Sequence, residues 1–151
     1  MTEEPERTHS LDGFPAAAVK FVVALQRNRE NIAIQHGLSA SELRALFWIA
    51  ERGSVRPKEL AAHMEMTTGG ITAISSRLAD MNLLERVAHP DDRRSLYLKL
   101  STAGHSMMSQ MHRDFIGMVE SSASMLDGDQ LAEFEWALDA VADEVSRRTD
   151  H

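Results

Sequence analysis

Leu84-Glu85-Arg86-Val87-Ala88-His89-Pro90-Asp91-Asp92-Arg93-Arg94-Ser95-Leu96-Tyr97-Leu98-Lys99-Leu100 is the stretch whose reading decides the fold. Leu96, Leu98 and Leu100 alternate with Tyr97 and Lys99, the two-residue period of a strand with one covered face. Leu84–Ala88 is short and apolar enough to pair with it. The segment between, His-Pro-Asp-Asp-Arg-Arg-Ser, is rich in turn formers. A β-hairpin over 84–100 follows, with Arg93 and Arg94 at its tip beside Asp91 and Asp92.

The segments preceding this hairpin read as helices. Residues 68–81, capped by Thr67, carry an apolar stripe of Ile71, Ile74, Leu78 and Met81. At about 100° per residue the opposite face holds Gly69, Thr72, Ala73, Ser76 and Asp80, with Arg77 on the flank. Two glycines in a first turn cost roughly 1 kcal/mol each relative to alanine. Close approach of another molecule's surface to the backbone would compensate, and a face this small suits a DNA major groove. Before it, Pro57 opens a short helix with Leu60, Ala61 and Met64 inward, closed by a turn at Glu65-Met66. Residues 40–52 form a further helix. Ser39 and Glu42 have capping-box spacing, Leu43, Leu46, Phe47 and Ala50 repeat at helical intervals, and Gly53 stops it. Helices followed by a hairpin give a winged helix-turn-helix lobe over 38–101.

Outside that lobe lie three longer helical patterns. Residues 15–35 place Ala18, Val22 and Leu25 on one face with Phe21 beside them, and Gly37 ends the run. Residues 102–124, capped by Ser101 and Thr102, carry Met107, Met111, Phe115, Met118 and Val119. Residues 129–148, starting from Asp127 or Asp129, step through Leu131, Phe134, Leu138, Val141 and Val145 in a 3-4-3-4 seam, the pattern of one helix lying along another. The fold class is therefore mainly α with a small β-hairpin wing. Residues 1–12 are expected to be a mobile tail and 13–151 a single domain. Helices 13–35, 102–124 and 129–148 are expected to form a homodimer interface.

Composition narrows the function. The net charge is −7, but it is polarised: within 52–101 eight basic groups stand against six acidic ones, leaving +2 there and −9 elsewhere. With no cysteine there is no disulfide framework, thiolate zinc site or thiol switch. No stretch approaches the roughly 20 apolar residues of a membrane span. The start, MTEEPERTHS, is acidic and polar, unlike a signal peptide, so a cytoplasmic location is expected. The seven histidines show no HExxH spacing, and His105 and His112 lie two turns apart, roughly 10 Å, so no metal site is expected. No P-loop, GxGxxG or GxSxG is present, so neither catalysis nor a cofactor is expected. Phe47 and Trp48, with Met107 and Met111, are candidates to line a ligand pocket.

These segments together resemble the MarR family of bacterial transcriptional regulators. The resemblance runs from about residue 15 to 148 and is most specific in the wing signature D-x-R-x5-L-T. Here it reads Asp92-Arg93-Arg94-Ser95-Leu96-Tyr97-Leu98-Lys99-Leu100-Ser101, with Ser replacing the final Thr. Arg56-Pro57-Lys58-Glu59-Leu60-Ala61, Met66-Thr67-Thr68-Gly69-Gly70-Ile71-Thr72, Leu84-Glu85-Arg86 and Ser101-Thr102-Ala103-Gly104 fit as well. The resemblance implies a homodimer that sets one recognition helix into each major groove of a pseudo-palindromic operator, with the wings in adjacent minor grooves. It implies a repressor released by a small aromatic or phenolic ligand. On this reading Arg94 enters the minor groove and Asp92 positions it. Thr68, Thr72 and Ser76 donate to phosphates or base edges, while Arg77, Arg86 and Arg93 contact phosphates. Arg56, Thr67, Gly69 and Ala73 complete the expected DNA-binding set. One departure is Ala73, where many relatives carry arginine, which shifts weight from base readout to the wing. The competing reading, favoured by the acidic total, is a metal- or ligand-sensing dimer with weak or non-specific DNA binding.

Overall fold

The computed structural model describes residues 10–88, 91 and 96–149. They divide into two compact units, one up to His105 and one from Ser106 on. In chain order the elements are α1 (Gly13–Gln35), α2 (Ala40–Arg52), β1 (Ser54–Val55), α3 (Pro57–Met64), α4 (Thr68–Asp80), β2 (Leu84–Ala88), β3 (Leu96–Leu100), α5 (Thr102–Ser122) and α6 (Gly128–Thr149).

Local chemistry sets most of the boundaries. Glu42 N donates to Ser39 Oγ at 3.1 Å and Ser39 N to Glu42 Oε2 at 2.7 Å, so both halves of the capping box form at the start of α2. Gly53, at φ 76°, ends it in a backbone conformation that side chains other than glycine's resist. Glu65, at φ 54°, makes the left-handed turn between α3 and α4. Arg44 on α2 ties down the end of α3 by donating to Met64 O at 2.8 Å.

The sheet is antiparallel with order β1-β3-β2. Leu84 faces Leu100 and Ala88 faces Leu96 across the hairpin. On the other edge of β3, Ser54 pairs with Lys99 and Val55 with Leu98. Two residues are too few to show strand periodicity, so β1 escaped the sequence reading; it forms because β3 offers a free edge beside the end of α2.

The core of the first unit gathers Leu46, Ile49, Val55, Leu60, Ile71, Leu78 and Leu98, all fully buried. Three inward faces differ from the expected ones. On α2, Leu43, Ala45, Leu46 and Ile49 are buried, while Phe47 and Ala50 are only half-buried. On α4, Ser75 is buried and Ile74 half-buried. A serine can sit there because its hydroxyl donates to Thr72 O at 3.2 Å and accepts from Arg86. On α5, Met108 and Met111 are buried and Met107 half-buried. That helix ends at Ser122 rather than 124, in the polar run that follows Val119. In the second unit α6 contains no buried residue. Its start is decided in favour of Asp127, which exchanges hydrogen bonds with Gln130 at 2.9 and 3.0 Å.

Candidate nucleic-acid interface

The α4 helix begins at a cap: Gly70 N donates to Thr67 Oγ1 at 3.2 Å. The two glycines of its first turn differ in their surroundings. A Cβ at Gly70 would meet Met66 Cε at 3.0 Å and Thr67 Oγ1 at 3.4 Å, so a larger residue there would have to displace the end of the Met66 side chain. A Cβ at Gly69 would meet nothing closer than 4.0 Å. Packing within the lobe therefore does not explain Gly69, which leaves its bare backbone available to an outside surface.

Thr68, Gly69, Thr72 and Ala73 are exposed and Ser76 is half-buried, so the small face foreseen on this helix does face outward. Its hydroxyls are partly committed. Thr72 Oγ1 donates to Thr68 O at 2.9 Å, so outward it presents an acceptor and a methyl rather than a free proton. Ser76 Oγ accepts from Arg86 Nη2 at 2.7 Å.

The arginines expected at phosphates are also engaged within the lobe. Arg86, on β2, reaches across to α4, at Ser76 and at Ser75 3.3 Å away. Arg77 pairs through Nε with Glu42 Oε1 at 2.6 Å and donates from Nη2 to Gly37 O at 2.9 Å. Arg56 donates from Nε to Tyr97 Oη at 3.0 Å, lies 5.7 Å over that ring and pairs loosely with Glu59. Asp92, Arg93 and Arg94 lie outside the described residues. Glu42 is the residue the sequence reading missed: its capping position was legible, but its pairing with Arg77 was not.

The pocket candidates separate. Phe47 and Trp48 line a cavity of about 660 Å³ against α1, with Arg29, Arg44 and Glu51 around it. Trp48 stacks on His63 at 4.6 Å and carries Arg52 at 4.8 Å. Met107 and Met111 are not among the lining residues. Among the described residues no three metal-ligating side chains cluster, and no helix is long and apolar enough to cross a membrane.

Against known proteins, the family model for the MarR family matches residues 38–96, from just before α2 to the first residue of β3. Over those residues, about two fifths of its length, the chain is similar to the MarR family. It is 26% identical over 106 residues to the multiple antibiotic resistance protein MarR of Escherichia coli, covering 69% of this chain and 73% of that one. An uncharacterised HTH-type regulator of Mycobacterium leprae is 30% identical over 79 residues, covering 52% of this chain and 55% of that one. The fold agrees with a crystal structure of a MarR mutant from E. coli at TM-score 0.66 and 21% identity, across 89% of this chain and 99% of that one. A MarR mutant complexed with operator DNA superposes at TM-score 0.54 with 21% identity, across 85% and 94% of the two chains. Several of the matched relatives are named as HTH-type transcriptional regulators, and one of the similar structures holds operator DNA.

Proposed function

We propose that the chain is a homodimeric repressor that binds a pseudo-palindromic operator and is released by a small aromatic or phenolic effector. The observation that carries the DNA reading is the outward face of α4, where Gly69, Thr72 and Ala73 stand exposed and the lobe's own packing leaves Gly69 unexplained. Such a face fits a major groove closely, and Ala73 suits a thymine methyl. The related MarR mutant in complex with operator DNA supports this use of the lobe.

Dimerisation is supported by apolar surface that each unit leaves open. Phe14, Phe21 and Val22 are exposed on α1, and Leu131, Phe134, Leu138 and Val145 on α6. Exposed apolar surface on this scale is a mark of an interaction site. The effector reading is supported by the cavity lined by Phe47 and Trp48, which offers aromatic walls with Arg29 and Arg44 as anion partners.

The test is selection of bound fragments from random duplex DNA, repeated with and without aromatic acids. Enrichment of a palindrome whose binding weakens with one of the acids is the expected result. Failure to enrich any sequence would refute specific readout and favour the ligand-sensing alternative. Arg94→Ala is expected to lower operator affinity more than about tenfold, the scale of a lost groove contact, with the dimer intact. An unchanged gel shift would remove the wing from the interface.

A further inference from the structure

We infer that Glu42 is a positioning residue for DNA readout, acting through Arg77, and that Arg77 is a strut rather than a phosphate contact. This rests on the reading of α4 as the recognition helix.

Glu42 lies at the start of α2 with its side chain only 6% exposed. Both carboxylate oxygens are in use. Oε2 accepts from Ser39 N at 2.7 Å, and Oε1 meets Arg77 Nε at 2.6 Å. Arg77 comes from the last turn of α4, 35 residues further along the chain, and its Nη2 also donates to Gly37 O at 2.9 Å. One guanidinium thus joins the recognition helix to both sides of the α1–α2 junction. A carboxylate this buried is costly unless paired and hydrogen-bonded, and Arg77 supplies its cation. Two donors in a rigid fork fix the guanidinium plane, so the strut resists rotation of α4 about its own axis.

The opposite flank of α4 is held separately. Arg86 on β2 donates to Ser76, the residue next to Arg77. The outward face of Gly69, Thr72 and Ala73 is therefore set between two clamps, one reaching α2 and one reaching β2. Groove readout by small side chains has little tolerance for a rotated helix. Glu42, too buried to reach DNA, is placed to govern readout through this geometry.

The experiment compares wild type, Glu42→Gln, Arg77→Gln, the double variant and Arg77→Lys on the selected operator and on a random duplex of equal length, across a salt series. Glutamine at 42 preserves the cap, because a capping box accepts either residue, and turns its donor amide nitrogen toward Arg77, so the strut loses both its charge and its acceptor. Thermal melts establish that each variant is folded at the assay temperature. Glu42→Gln is expected to raise the operator Kd roughly threefold to thirtyfold, the range of couplings carried through a packed network. Affinity for random duplex and the salt slope stay as in wild type. The double variant matches the single ones, because both remove the same strut. Arg77→Lys keeps the charge but loses the fork, and behaves as Arg77→Gln does.

A phosphate contact gives the opposite pattern. Arg77→Gln then weakens both duplexes and lowers the salt slope by about 0.9 per lost contact, while Arg77→Lys binds nearly as wild type. That pattern, or a Glu42→Gln variant indistinguishable from wild type on the operator, overturns the inference and leaves the proposed function standing. A wild-type protein that selects no sequence overturns the proposed function itself.

Discussion

Gly104 offers a sharp test of how the lobe passes into α5. It lies buried in the first turn of that helix. A Cβ there would be driven into the Leu83 carbonyl oxygen, with Leu83 C at 3.2 Å and Leu100 Cβ at 3.3 Å. That carbonyl cannot easily retreat, since it accepts from Ser101 N at 3.0 Å. Ser101 in turn donates through Oγ to Asn82 O at 2.5 Å and accepts from Gly104 N at 3.0 Å. Overpacking costs typically about 1–3 kcal/mol, and a collision with hydrogen-bonded backbone belongs at the upper end. Alanine returns about 1 kcal/mol of helix propensity. Gly104→Ala is therefore expected to lose about 2 kcal/mol, a fall of roughly 4–8 °C in melting midpoint for a chain of this size. Thermal unfolding followed by circular dichroism measures it. Gly117→Ala on the same helix is the control: nothing lies within 4 Å of its Cβ, and a gain of about 1 kcal/mol is expected. A Gly104→Ala variant that melts with or above wild type refutes the reasoning.

Further predictions test the interface, the cap and the seam. Ala73→Glu places a carboxylate on the outward face of α4, where like-charge juxtaposition costs several kcal/mol, so operator affinity is expected to fall about a hundredfold or more. An unchanged gel shift would show that this face does not meet DNA. Thr67→Ala removes the acceptor of Gly70 N and is expected to cost about 1 kcal/mol, read as a lower melting midpoint. No change would mean that water caps the turn equally well. Phe134→Asp combined with Leu138→Asp is expected to give a monomer in sedimentation velocity, because both side chains are exposed on a helix with no fully buried residue. A persisting dimer would move the interface off this seam.

What was legible in the sequence is what local physics decides. Ser39 with Glu42, Thr67 before two glycines, Pro57 at a first turn and Gly53 past an end each act within four residues, and each marks an element boundary the structure keeps. The alternation of Leu96, Leu98 and Leu100 placed β3, and its partner followed from register. The details that went unread depend on partners distant in sequence. β1 exists only because β3 has an edge to pair with it. Ser75 is buried because Arg86 reaches it from another element. Met108 rather than Met107 turns inward on α5, a choice of neighbouring positions that a helical period leaves open when both residues are methionine. The small outward face of α4 was read correctly, but its hydroxyl chemistry was not, since Thr72 spends its proton on the preceding turn.

The same distinction governs the charges. Counting cations between residues 52 and 101 suggested a lobe that meets DNA with its arginines. The structure spends Arg56 on Tyr97, Arg77 on Glu42 and Gly37, and Arg86 on two serines of α4. A guanidinium has five donors, so each retains some capacity toward a phosphate, but its position is dictated by the protein. Arg77 and Arg86 together brace the face that carries Gly69, Thr72 and Ala73, while Arg56 ties the start of α3 to β3. In a chain of net charge −7, with few cations to spend on the phosphate backbone, bracing a small face for close fit is the more economical use of an arginine. On the proposed reading, specific affinity depends on how well that face is held, and Glu42, through Arg77, is one of the residues that hold it.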